Sequence, residues 1–143
     1  MTAREAPRPR QDEALICVGF LLFADGSVLV ERRRSDRRLL PGILAVPGGH
    51  LEPGESPETA LARELREELD VTAVESRYLC SLLHQSDELR CLDYFAVPRW
   101  QGEIRVLEAA AVEWLPLTAI DRLDLEVDRI ACRELQRLYP ERS

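Results

Sequence analysis

The sequence predicts an α+β fold, in which a mixed β-sheet is layered against helices. Two observations support this prediction: many short β-rich segments occur along the chain, and only two stretches have helical spacing. Those stretches, 57–69 and 127–138, lie far apart in the sequence. A chain of 143 residues with 45% hydrophobic content is long enough for one domain with a sizeable core.

We expect residues 14–140 to form this single domain and residues 1–13, which are rich in Pro and Arg, to be a flexible N-terminal segment. The chain has no apolar run of membrane-spanning length and no signal-peptide region, so we expect a cytoplasmic protein without a membrane partner. The net charge of −7 argues against nucleic-acid binding. The four cysteines form no C-x-x-C pair, which favours reduced thiols over a zinc site.

The first elements are two strands, over residues 14–24 and 27–32, joined by the strong hairpin signal Asp25-Gly26. Alternation along the second strand places Arg32 on the same face as its valines. Arg32 ends this strand beside a basic loop. Because the strand end holds it in place, Arg32 is a candidate for contacting a substrate phosphate.

A short apolar strand over residues 44–46 precedes Gly48 and Gly49. These glycines predict an unusual backbone, with positive φ and close approach of another group. Ser56 and Pro57 then read as the N-cap and first residue of a helix. From Ala60 to Leu69, no Gly, Pro or β-branched residue interrupts the helical pattern.

Three acids, Glu64, Glu67 and Glu68, share one face of this helix at about 100° per residue. An apolar stripe lies beside them, formed by Leu61, Leu65 and Leu69. Like charges at this spacing cost roughly 0.2–0.5 kcal/mol per pair. A hard divalent cation such as Mg²⁺ or Mn²⁺ would offset that repulsion. Taken alone, the run is also explained by a solvated charged face.

The remaining elements are predicted as a strand over 71–83 with a polar break at residues 75–76, a turn over 85–88, a strand over 89–97, a loop over 98–102, an edge strand over 103–107, a strand over 111–115, a helical turn over 118–123 and a second amphipathic helix over 127–138, ended by Pro140.

The loop and acidic helix resemble the Nudix box, G-x5-E-x7-R-E-U-x-E-E-x-G-U, where U is a bulky apolar residue. The matching residues are Gly49, Glu55, Arg63, Glu64, Leu65, Glu67, Glu68 and Val71. Asp70 replaces the late glycine; we expect it in the left-handed conformation just past an intact helix end. The resemblance covers roughly residues 15–138 and implies an α/β/α sandwich with a mixed central sheet between helices.

The resemblance implies hydrolysis of a nucleoside diphosphate linked to another moiety, with Mg²⁺ or Mn²⁺. The implied metal ligands are Glu64, Glu67, Glu68, the carbonyl of Gly48 and, from a late loop, Glu108. Glu55 and Arg63 are the implied pair that pins the loop to the helix and supports catalysis. The candidate substrate-binding residues are Arg32, Gly49 and His50.

The leading expectation is a small MutT-like enzyme that hydrolyses nucleoside or deoxynucleoside triphosphates and releases pyrophosphate. The alternatives are a pyrophosphatase for ADP-ribose, another nucleotide sugar or a dinucleotide, and a non-catalytic nucleotide-sensing domain. Residues 86–89 lack the Pro and Tyr markers of the ADP-ribose and dinucleotide classes, and the intact acids disfavour the sensor. A prenyl-diphosphate isomerase is disfavoured because no cysteine has the required context. The expected partner is a nucleotide-type small molecule, bound by a monomer or homodimer.

Overall fold

The computed structural model describes residues 14–140, so the predicted flexible segment 1–13 lies outside the described residues. The elements are β1 (Leu15–Ala24), β2 (Ser27–Arg32), β3 (Leu44–Ala45), β4 (Gly48–His50), α1 (Pro57–Leu69), β5 (Thr72–Gln85), β6 (Leu89–Gln101), β7 (Ala111–Pro116), a 3-10 helix (Leu117–Arg122) and α2 (Glu126–Leu138). Within residues 14–140, no helix has the length and apolarity needed to cross a bilayer.

The strands form one mixed sheet with the order β3-β2-β1-β6-β5, in which β4 also pairs with β1 and β7 with β2. The β1–β6 pair is parallel, from Leu15 opposite Arg90 to Leu22 opposite Val97. The other pairs are antiparallel. The mixed sheet predicted from the sequence is therefore confirmed.

The central strand β1 explains the layering, because its side chains alternate between two hydrophobic clusters. One face carries Phe20 and packs in the cluster that contains Leu65 of α1. The other face carries Leu21 and packs in the cluster that contains Leu135 of α2. Each such side chain contributes about 1.5–3 kcal/mol when fully buried. The sheet thus lies between two helices, as the predicted α/β/α sandwich requires.

The local signals in the sequence are confirmed at three boundaries. Asp25 and Gly26 form the hairpin turn, with φ of 52° and 75°. The Ser56 hydroxyl caps α1 by accepting from the Thr59 N–H at 3.2 Å. Asp70 stands at the end of α1 in the left-handed conformation, with φ 58° and ψ 39°, and its N–H donates to the Arg66 carbonyl. These boundaries depend only on neighbouring residues.

Two predicted elements are wrong. The loop over 98–102 is mostly strand, because β6 continues to Gln101. Pro98 lies at a register shift between β5 and β6, where its missing N–H removes no regular ladder bond. The edge strand over 103–107 is absent; instead the N–H groups of Arg105 and Leu107 donate to carbonyls of the last turn of α1, at 2.9 and 3.1 Å. The end of a helix has unpaired carbonyls that such a segment satisfies.

Candidate active site

A cleft of about 630 Å³ opens beside α1 and is walled by β1, β4, the loop after β2, the β5–β6 turn and α2. Most of the residues predicted for the site line this cleft: Gly48, Gly49, His50, Arg63, Glu64, Glu67, Glu68 and Glu108. The structure therefore brings the helical acids and the late-loop acid to one place, although about forty residues separate them in the sequence.

The acids of α1 differ in burial. Glu64 and Glu68 are buried, with 8% and 5% of their surface exposed, whereas Glu67 is exposed. Burial, together with the neighbouring carboxylates of Glu31 and Glu64, raises the pKa of Glu68 to about 10. Burial also raises the pKa of Glu64. The Oε2 atom of Glu68 is buried without a hydrogen-bond partner, which is costly unless a cation or proton occupies that position.

Arg63 connects the loop to the acidic face of α1. Its Nε and Nη2 donate to the two carboxylate oxygens of Glu55, each at 2.8 Å, which confirms the predicted pair. Nη2 also donates to the His50 carbonyl at 2.9 Å. Nη1 donates to Glu64 Oε1 at 2.9 Å and Glu67 Oε2 at 3.0 Å. The Arg63 hydrogen bonds, with a further one from the backbone, lower the pKa of Glu55 to about 2.

The reason for the two glycines differs from the prediction. Gly48 and Gly49 are extended residues of β4, and neither has a positive φ. The two glycines instead allow neighbouring atoms to approach their backbone closely. A Cβ on Gly48 would lie 2.0 Å from the Val18 carbonyl oxygen, and a Cβ on Gly49 would lie 2.3 Å from Glu64 Oε1. Gly48 thus permits the pairing of β4 with β1, and Gly49 makes room for the Glu64 carboxylate.

The prediction of Arg32 as a phosphate ligand has to be corrected, because its side chain is not part of the cleft wall. It is exposed, and Nη1 donates to the Gly42 carbonyl at 3.1 Å. Its neighbours Glu31 and Arg33 line the cleft instead. Side chains alternate along a strand, so these two share the opposite face from Arg32. The prediction used the face of β2 that Arg32 shares with the valines. The opposite face, with Glu31 and Arg33, reaches the cleft.

Glu31 is a site residue that sequence reasoning missed. Only 6% of its surface is exposed, and burial raises its pKa to about 7. It lies close enough to Glu68 for its charge to raise the pKa of that carboxylate. A single acid in an otherwise apolar strand was the signal available, since a charged residue rarely occupies such a position without a role.

Glu108 is held over the acidic end of the cleft by its own backbone neighbours. The Leu107 N–H donates to the Glu68 carbonyl at 3.1 Å, and the Ala110 N–H donates to the Arg32 carbonyl at 3.0 Å. The segment is therefore fastened to α1 on one side of Glu108 and to the end of β2 on the other. This explains how a residue outside any helix or strand reaches the cleft.

His50 is held by Arg90, a second residue that sequence reasoning missed. Arg90 Nη1 lies 2.7 Å from His50 Nε2, and Nη2 lies 3.5 Å from carboxylate oxygens of Asp87 and Glu88. Burial and then the charge of Arg90 lower the pKa of His50. Arg90, near the start of β6, thus fixes a side chain of β4. This contact joins residues 40 positions apart, and it had no local signal in the sequence.

The wall formed by α2 carries a buried carboxylate, Asp128, with 2% of its surface exposed. Asp128 accepts from the Tyr94 hydroxyl at 2.6 Å and from the Val46 N–H at 3.0 Å. Asp124 similarly accepts from the Leu44 N–H at 2.8 Å. Burial raises the pKa of Asp128 to about 6. Two acids, four residues apart around the start of α2, therefore bind the backbone at β3 and just after it.

The donor set suits a hard cation in its chemistry, because it consists of carboxylate oxygens and includes the partnerless Glu68 Oε2. The arrangement is not a finished metal site. Within residues 14–140, no three His, Cys, Asp or Glu side chains converge as ligands. Arg63 accounts for part of this, since its Nη1 occupies one oxygen of Glu64 and one of Glu67. A cation would draw on the remaining oxygens or displace Nη1.

The layered α/β/α domain thus places an acidic helix and a Gly-Gly strand at a cleft of nucleotide size, with oxygen ligands suited to a hard cation. The family model described as NUDIX domain matches residues 14–134. The chain belongs to the Nudix family and is a Nudix hydrolase.

Named relatives agree with this membership. The 8-oxo-dGTP diphosphatase of Escherichia coli K12 is 32% identical over 110 residues, which cover 76% of this chain and 84% of that protein. The CTP pyrophosphohydrolase of the same strain is 35% identical over 102 residues, covering 68% and 72%. A MutT NUDIX hydrolase from Burkholderia pseudomallei has a similar structure, with a TM-score of 0.78, 26% identity, and coverage of 85% of this chain and 98% of that one.

Proposed function

We propose that this chain hydrolyses nucleoside or deoxynucleoside triphosphates to the monophosphate and pyrophosphate. The observation that carries the proposal is the row of Glu64, Glu67 and Glu68 along one end of a cleft of about 630 Å³. That volume suits a ligand of nucleotide size. The names of the relatives, which are a triphosphate diphosphatase and a triphosphate pyrophosphohydrolase, support the same substrate class.

The proposed cofactor is Mg²⁺ or Mn²⁺, held by Glu64, Glu67 and Glu68, with the Gly48 carbonyl and Glu108 as further ligands. Such an ion neutralises phosphate oxygens and lowers the pKa of the attacking water. The partnerless Oε2 atom of Glu68 supports this assignment, because a cation at that position would offset the cost of burying the oxygen without a hydrogen bond.

The other residues of the site hold the catalytic groups in position. Arg63 keeps the Glu64 and Glu67 carboxylates at fixed places on α1, and Glu55 keeps Arg63 in place through two hydrogen bonds. Gly49 leaves space for Glu64 and exposes an extended backbone edge to substrate. His50 presents its imidazole to the cleft while Arg90 holds one ring nitrogen.

The test is a panel of nucleotides, with Mg²⁺ and with Mn²⁺, in which phosphate and pyrophosphate release are scored separately. We expect pyrophosphate from triphosphates. A chain that produces adenosine monophosphate from ADP-ribose and no pyrophosphate from any triphosphate would overturn the proposal. Omission of the divalent ion is the matched control, and activity without it would contradict the cofactor assignment.

We also propose that residues 14–140 act as one domain in the cytoplasm, on a small nucleotide rather than on nucleic acid. The reducing compartment is supported by the cysteines, all four of which lie among the described residues and none of which forms a disulfide. The net charge of −7 opposes attraction to a nucleic-acid backbone.

A further inference from the structure

The arginines of the cleft differ in how they are engaged. Five line it: Arg33, Arg37, Arg38, Arg63 and Arg90. Arg33 donates to the carbonyls of Leu39 and Leu40 at 3.0 and 3.2 Å. Arg63 and Arg90 are bound to Glu55 and His50, as described above. Three of the five guanidinium groups are therefore committed to the protein itself.

Arg37 and Arg38 are different. In the described part of the chain, neither side chain forms a hydrogen bond or an ion pair. The positive charge of Arg37 nevertheless acts on two buried carboxylates of the cleft, because it lowers the pKa of both Glu31 and Glu68. Arg37 thus lines the same cleft as these carboxylates, and its guanidinium is available to engage another group.

The backbone around Arg37 is fastened, although the side chain is not. Its N–H donates to the Arg34 carbonyl in a turn, at 3.2 Å. On the other side, the two hydrogen bonds of Arg33 hold residues 39 and 40 against the end of β2. A side chain on an anchored backbone binds a ligand at a smaller entropic cost than one on a loose loop.

We propose that Arg37 binds the phosphate chain of the substrate in the cleft that the α1 carboxylates also line. This inference rests on the proposed function, since it assumes a triphosphate. A planar guanidinium matches two phosphate oxygens at once. A substrate with several negative charges, entering a protein of net charge −7, requires a local positive group. Arg37 is an uncommitted guanidinium of the cleft whose charge also acts on the buried acids.

The test compares Arg37→Gln with Arg34→Gln, a matched control in the same loop. Arg34 is exposed, pairs with Asp36 at 2.9 Å and does not line the cleft. For Arg37→Gln we expect KM for a nucleoside triphosphate to rise about 10- to 100-fold, the usual loss for one charge-assisted hydrogen bond, with kcat changed by less than about threefold. Arg37→Lys retains the charge but loses the planar guanidinium with its paired donors. Its KM is therefore expected to lie between the values for wild type and Arg37→Gln.

A binding measurement separates this proposal from the proposed function. Calorimetry with inorganic tripolyphosphate and Mg²⁺ requires no turnover, so it reports on Arg37 even if no nucleotide is hydrolysed. We expect Arg37→Gln to bind this probe about 10-fold or more weakly than wild type and Arg34→Gln to bind it as wild type does. Equal affinity of Arg37→Gln and wild type, or an equal loss in Arg34→Gln, would overturn the assignment.

Discussion

The two adjacent glycines of β4 allow a chemical defect to be separated from a folding defect. In Gly49→Ala, the new Cβ lies 2.3 Å from Glu64 Oε1, whereas an ordinary contact needs 3.4 Å or more. The Glu64 carboxylate therefore has to move by about 1 Å from its place in the cleft. A displacement of that size costs about 100-fold in kcat. Because the displaced atoms belong to a flexible side chain, the free energy of unfolding falls by only about 1–3 kcal/mol.

Gly48→Ala is the matched comparison. Its Cβ meets the Val18 carbonyl oxygen at 2.0 Å and the Gly19 Cα at 3.0 Å, both of which are backbone atoms of β1. No rotamer change relieves this contact, so β4 must separate from β1, and we expect a loss of more than about 3 kcal/mol.

The assay has two parts. Urea unfolding followed by tryptophan fluorescence gives the free energy of unfolding of each variant, and pyrophosphate release at saturating triphosphate gives kcat. The reasoning is refuted if Gly49→Ala has a kcat within about threefold of wild type. It is also refuted if Gly48→Ala is as stable as Gly49→Ala, because the two contacts would then be equivalent.

Four further predictions concern carboxylates of α1, of its C-terminal end and of α2. Glu67→Gln and Glu68→Gln should each abolish metal-dependent hydrolysis while the circular dichroism stays native; retained activity in both would contradict their assignment as ligands. In chelator at pH 8, thermal melting should show Glu68→Gln to be more stable than wild type. The pKa of Glu68 is raised from 4.5 to about 10, so wild type must take up a proton at this carboxylate to fold at pH 8, whereas the amide needs none. The exposed Glu67→Gln should be unchanged. Asp128 has its pKa raised from 3.8 to about 6, so its contribution to stability is full below pH 3.8 and is lost as the pH rises through 6. Asp128→Asn should therefore flatten the melting temperature between pH 4 and 7, and an unaltered profile would show that another group titrates. Asp70→Gly should raise the free energy of unfolding by about 1 kcal/mol in urea titrations, with kcat unchanged, because it relieves a left-handed residue and removes a negative charge from a helix C-terminus.

The parts of the site that the sequence predicted are those encoded over short distances. The α1 acids follow from helical spacing, and the N-cap from Ser56 and Pro57. Glu55 and Arg63 are only eight residues apart, and their pairing was implied by the motif that contains both. Each of these features requires one element and the loop that precedes it.

The parts that were missed depend on strand register and on chain segments far apart. Arg32 was predicted and Glu31 was missed because alternation gives two faces without saying which one meets the cleft, and a shift by one residue exchanges them. Arg90 and Asp128 lie 40 and 82 residues from the groups they contact, His50 and Val46. Residues 103–107 had a strand-like composition, yet their backbone hydrogen bonds go to a helix end, which composition does not encode.

The segment before β7 is anchored on both sides of Glu108, and this limits the insertions and deletions that the region tolerates. Only Glu108 and Ala109 lie between the two anchored N–H groups, those of Leu107 and Ala110. One added or deleted residue in that span changes its reach by up to about 3.5 Å, enough to move the Glu108 carboxylate out of the cleft. Extra residues near the exposed turn at Gly102 leave the span unaltered. Changes in chain length should therefore be tolerated upstream of Arg105. Between Leu107 and Ala110, the number of residues should be fixed.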